Sequence, residues 1–217
     1  MKRALVPAAL LLLAGCQQPG PAVQRPYAAV EEGLTLVYIN PSLPQDEQAA
    51  KRLQVRVDKV LEREDGSKLV TKTFSLGVGK PFESTFILKG GGVALAGPDG
   101  KSQTPFLPAG FPDQAAAWTT GSSQFRVLGR GAWAASAKVL PSDRSNEGVW
   151  VECRSALGPA TRTLYLPALG EVQTDERRPD GSWATVNLLT QFGFTESPVT
   201  QREDAPAPAK PAKKRKR

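Results

Sequence analysis

Apolar and polar residues alternate along most of the chain in short runs, broken by Gly, Pro, Asn and Asp. Leu34 to Ile39 (LTLVYI) stops at Asn40-Pro41, and Leu53 to Glu64 and Lys68 to Leu76 flank Asp65-Gly66. Asp-Gly between two such runs predicts a hairpin whose central residues tolerate positive φ. Phe82 to Lys89 puts Phe82, Ser84, Phe86 and Leu88 on one face, and Val93 to Ala96 follows Gly90-Gly91-Gly92. Further runs lie at Ser123 to Leu128, Trp133 to Leu140, Val149 to Ser155, Thr161 to Leu166, Glu171 to Arg177 and Trp183 to Gln191, with Pro179-Asp180-Gly181 joining the last two. A turn or two of helix is predicted only within Pro44 to Arg52, where Asp46 and Glu47 sit near its start.

About ten strands at this spacing predict an all-β fold: an antiparallel sheet curved into a half-barrel or barrel, with a sandwich as the alternative. The three glycines predict a sharp bend or bulge. A phosphate-cradling loop would need Lys-Ser/Thr and a helix after them, and neither follows. Gln103 to Ala117 (QTPFLPAGFPDQAAA) reads as an irregular, proline-rich connection.

The ends differ in kind from this body. Lys2 and Arg3 precede an apolar run from Ala4 to Leu13, and Leu13-Ala14-Gly15-Cys16 follows. The run is short of the roughly 20 apolar residues a spanning helix needs, so it has the layout of a removable leader. The tetrad resembles the bacterial lipobox. That resemblance implies cleavage before Cys16, acyl chains on its thiol and stable membrane anchoring. Gln17, in place of Asp, implies passage to the outer membrane, facing the periplasm, in two-membrane bacteria. Gln17 to Tyr27 (QQPGPAVQRPY) reads as a flexible tether. The expected organisation is a signal peptide over 1–15, a lipidated tether over 16–29, one β-rich domain over 30–195 and a disordered basic tail over 196–217.

The net charge of +7 suggests a basic protein until it is located. Of 28 Lys and Arg, two lie in the leader and six (Lys210, Lys213, Lys214, Arg215, Lys216, Arg217) in the last eight residues of the tail, which leaves 20 against 21 acidic residues in the stretch between. A body without a basic excess argues against nucleic acid as a partner. The tail cannot bury enough surface to fold. It is instead a candidate for binding anionic lipid, lipopolysaccharide or cell-wall polymer.

Histidine is absent, which removes Ser-His-Asp and Cys-His catalysis and the commonest zinc ligand. No metal and no cofactor are expected. If Cys16 carries lipid, Cys153 has no partner for a disulfide; alternation places it with Val149 and Val151, as a buried small hydrophobe rather than a reactive thiol. The acidic clusters Glu62-Arg63-Glu64-Asp65 and Asp175-Glu176 read as solvated rims, although a carboxylate pair has no sequence spacing of its own.

The second half, roughly Thr104 to Phe192, resembles a loose group of secreted β-rich bacterial proteins of unknown function. The elements that carry the likeness are Phe106-Leu107-Pro108-Ala109-Gly110 with Trp118, the strands around Trp133 and Val149 to Cys153, and Leu164 to Val172 (LYLPALGEV). Pro141 to Gly148 departs from the group's pattern. The resemblance implies a curved sheet similar to that of the lipoprotein-carrier family, whose members hold acyl chains on the concave face. By itself, Pro167 to Gly170 makes a fixed turn that needs no ligand. The function expected is a non-enzymatic envelope lipoprotein that binds an apolar ligand or a protein through its sheet. A tether gripping anionic material with its tail is the alternative, and a histidine-independent envelope hydrolase the third.

Overall fold

The computed structural model describes residues 25–99, 102–141 and 144–194. They form β1 (Leu34–Ile39), α1 (Gln45–Ala50), β2 (Leu53–Glu62), β3 (Lys68–Leu76), β4 (Phe82–Lys89), β5 (Gly92–Ala96), β6 (Gln103–Leu107), β7 (Ala117–Thr120), β8 (Ser123–Ala132), β9 (Glu147–Ser155), β10 (Thr161–Leu166), β11 (Gly170–Arg177) and β12 (Trp183–Phe194). All strands join one sheet in the order β6-β5-β4-β3-β2-β1-β12-β11-β10-β9-β8-β7, and every neighbouring pair is antiparallel. The order is a meander around a circle, so the sheet is a nearly closed barrel and not a sandwich. Its two edges, β6 and β7, meet where the Thr120 hydroxyl donates to the Pro105 carbonyl at 2.8 Å.

The hairpins follow their turn residues. Gly90 and Gly91, at φ 55° and 79°, form a two-residue turn between Lys89 and its partner Gly92. At Asp65-Gly66 only the glycine takes positive φ, 74°. The Arg63 N–H donates to the Ser67 carbonyl at 2.8 Å and the Gly66 N–H to the Arg63 carbonyl at 3.0 Å. This is a type I turn closed by a left-handed glycine, not the two-residue turn the dipeptide predicts. The Asp65 carboxylate accepts from the Ser67 hydroxyl at 2.6 Å, and Asp180 and Ser182 repeat the arrangement at 2.7 Å.

Three sequence expectations are corrected. Trp133 to Leu140 is not a strand: Trp133 is fully buried and the chain coils into a short 3-10 helix at Ser136–Lys138. The irregular connection begins and ends in strands, because Gln103–Leu107 is β6 and Ala117 opens β7. Proline is tolerated in β6 because one side of an edge strand has no ladder to feed. Finally, the tether ends sooner than expected. Tyr27, Ala28 and Ala29 are buried with Leu34, Leu36, Val57, Val70 and Val172 in the core, so the folded body begins ahead of Val30.

Candidate functional site

Eight strands make a barrel that side chains just fill, and the bore grows with strand number. Twelve strands therefore enclose space that something else must occupy. Part is taken by the chain itself. The Ala168 N–H donates to the Pro26 carbonyl at 2.7 Å, which holds the N-terminal segment against the turn between β10 and β11. The Tyr27 ring meets Phe111 edge-on at 5.2 Å, and Phe111 meets Trp118 at 5.9 Å and Tyr165 at 6.1 Å. Phe111 comes from the loop after β6, which the Gly110 N–H ties to the Gly90 carbonyl at 2.7 Å.

The remaining space is a cavity of about 370 Å³. Its wall is mostly apolar: Leu36 from β1, Leu53 and Val55 from β2, Phe74 from β3, Phe86 from β4, Val93 and Leu95 from β5, Phe106 and Leu107 from β6. Tyr27, Ala28 and Ala29 line it too, as do Leu169 and Gly170 of the β10–β11 turn. That turn, expected to be a plain corner, is thus part of the cavity wall. Phe74 stacks on the exposed Phe82 at 5.1 Å, and Phe106 is half exposed.

The polar groups of the cavity fall into two sets. Tyr38, Tyr165, Glu171 and Asn187 come from β1, β10, β11 and β12. Glu171 Oε1 accepts from Asn187 Nδ2 and from Thr174 Oγ1, each at 2.7 Å, while its main-chain carbonyl accepts from the Tyr38 hydroxyl at 2.9 Å. Burial pushes both phenols well above their ordinary range, and the Glu171 charge pushes the same way. They stay protonated, and the Tyr38 hydroxyl is a donor. Lys72 and Ser84, paired across β3 and β4, form the second set. The Lys72 ammonium lies 5.1 Å from the centroid of the Phe86 ring, and burial pushes its pKa down to about 8.

Two buried carboxylates, Glu152 and Asp175, lie on the outer face of the sheet. Glu152 accepts from Arg126 at 2.8 Å and Arg154 at 3.1 Å. Burial pushes its pKa up, and the two arginines more than offset this. Asp175 accepts from Arg162, Gln173 and Thr185, each at 2.8 Å. Glu152 is paired with two arginines and Asp175 with one, and Arg162, in register with both carboxylates, stands between them on β10. Asp175, expected on a solvated rim, is only 2% exposed. A hollow of about 390 Å³ lies beside β7, where Ala117, Trp118 and Phe125 share the wall with the ion-paired Arg126, Glu152 and Arg154.

Cys153 is half-buried, and burial pushes its thiol pKa up against hydrogen bonds with Ser123 and Thr161. Among the described residues no three His, Cys, Asp or Glu side chains come together as metal ligands. Cys16 and the tail residues Lys210, Lys213, Lys214, Arg215, Lys216 and Arg217 lie outside the described residues. Lys72 and Glu171 were not singled out by sequence reasoning. A signal for Lys72 exists: Val70, Lys72 and Phe74 alternate onto one face of β3, so a lysine falls between two apolar positions.

No protein-family model and no curated protein matches the chain. Two solved structures are similar in fold. One is a Bacteroides fragilis protein, provisionally described as exported and as having a YmcC-like fold, with 11% identity and a TM-score of 0.46 over 78% of this chain and 99% of that one. The other is a Parabacteroides distasonis protein, provisionally described as a lipoprotein, with 9% identity and a TM-score of 0.47 over 78% of this chain and 99% of that one.

Proposed function

We propose that this chain is a non-enzymatic envelope lipoprotein, anchored by acyl chains on Cys16, whose barrel binds an apolar ligand. The observation that carries the ligand reading is the cavity of about 370 Å³ with an almost continuous aliphatic and aromatic wall. An apolar cavity with a few placed polar groups is the usual form of a small-ligand site. The anchor rests on the leader and the Leu13-Ala14-Gly15-Cys16 tetrad.

Native mass spectrometry of the full chain purified from its own envelope tests the ligand reading. The expected result is a species heavier than the lipidated polypeptide that loses a small apolar molecule on collisional activation. A bare polypeptide that also fails to bind the neutral probe 1-N-phenylnaphthylamine would overturn it. The tail, with six basic residues among its last eight, supports a second contact with anionic envelope material. Deleting Lys210 to Arg217 should then weaken co-sedimentation with anionic vesicles, and unchanged co-sedimentation removes this contact.

A further inference from the structure

A cation in an apolar enclosure is costly unless it is paired. Lys51, Lys68 and Lys89 each meet a carboxylate within 2.8 Å. Lys72 does not, although it projects from β3 into the cavity. Among the described residues its one contact is the Phe86 ring at 5.1 Å, a cation–π interaction of about 0.5–2 kcal/mol. Such a contact offsets only part of the desolvation that pulls this ammonium down to about 8. Ser84, its cross-strand neighbour, adds a hydroxyl donor to the same patch of wall.

Among the described residues, Glu171 is the carboxyl side chain that lines the cavity. It stands on β11, makes no ion pair with Lys72, and its carboxylate already accepts from Thr174 and Asn187. It repels an anion from the β11 side, so an incoming negative group is steered to β3. From there the wall is apolar through Phe74, Phe86 and Phe106. The cavity volume lies near the lower end of the range of about 300–1,000 Å³ for small-ligand sites, which suits one slender chain.

We propose that the cavity selects a single-chain amphiphile with an anionic head, the head meeting Lys72 and Ser84 and the tail lying along the phenylalanine wall. This rests on the ligand-binding reading above and specifies the class of ligand.

The test uses the full chain bearing Cys16→Ser, which removes the acylation thiol and keeps detergent out of the assay. Bound 1-N-phenylnaphthylamine is displaced by dodecanoate or by dodecanol, which share a tail and differ in charge. Dodecanoate should displace the probe at roughly tenfold lower concentration, the equivalent of one charge-assisted hydrogen bond. Lys72→Met should abolish that preference while dodecanol displaces as before, and Lys72→Arg should keep it. Equal displacement by the two ligands in the parent, or a preference that survives Lys72→Met, overturns the anionic head and leaves the apolar cavity standing. Failure of the probe and of dodecanol to bind at all overturns both readings.

Discussion

The Lys72 ammonium rests 5.1 Å from the centroid of the Phe86 ring, with no carboxylate paired to it among the described residues. Its folded-state pKa of about 8 lies below its ordinary value of 10.5, because burial penalises the charged form. The unfolded chain therefore holds the proton more tightly, and stability rises as pH climbs from about 8 to 10.5. Of the other groups facing the cavity, Tyr38 and Tyr165 are pushed upward by their burial and by the neighbouring Glu171 carboxylate. Lys72→Met should be more stable than the parent at pH 7 by about 1–3 kcal/mol in urea unfolding. The gap should close towards pH 10.5. A gap that stays constant with pH would contradict burial as the cause.

The same proton sets ligand preference. The advantage of dodecanoate over dodecanol should be full near pH 6 and fade above about 8 as Lys72 loses its charge. Probe displacement across this range measures it. A flat profile would mean that the head group meets something other than Lys72.

On the outer face, Arg162 donates to Asp175 at 2.8 Å and lies between two rings, 5.1 Å from Trp150 and 4.8 Å from Trp183. Asp175→Ala leaves the arginine without its counter-charge and Gln173 and Thr185 without their acceptor. The expected loss is about 3–5 kcal/mol in urea unfolding. Because this face points away from the cavity, probe affinity of the folded fraction should not change.

Gly148 in β9 sits where a Cβ would run into the Tyr165 carbonyl oxygen and the Leu164 and Leu166 side chains. Backbone cannot give way as a flexible side chain can. Gly148→Ala should destabilise by about 1–3 kcal/mol. Each kcal/mol would appear in calorimetry as a Tm lower by about 2–4 °C.

The seam between β6 and β7 is held by the Thr120 to Pro105 hydrogen bond. Thr120→Val should cost about 0.5–1.5 kcal/mol. Hydrogen exchange should quicken in β6 and β7, while the central β1–β12 ladder keeps its protection. Uniform quickening over all strands would show that the seam opens only with global unfolding.

Most strands were legible because each needs only a period-2 pattern and a turn residue at its end, as with Thr161–Leu166 and Lys68–Leu76. Trp133 to Leu140 misled because its apolar residues alternate as in a strand. Burial of Trp133 and Ser136 in a coil satisfies the same composition. Tyr27 to Ala29 looked like linker because two alanines and a tyrosine carry no periodicity. Their burial depends on a barrel wide enough to admit a chain, which is a property of all twelve strands together. The cavity was illegible for the same reason: strand number fixes its bore, while Lys72 and Glu171 come from β3 and β11, far apart in sequence.

The burial of Tyr27 to Ala29 inside the barrel also shortens the leash. Between Cys16 and Arg25 the backbone reaches at most about 30 Å, less than the roughly 40 Å spanned by a strand of 12 residues such as β12. An acylated Cys16 would keep the barrel from drifting more than its own height away from the bilayer. Any tug on such an anchor would fall directly on Tyr27 to Ala29, which line the cavity.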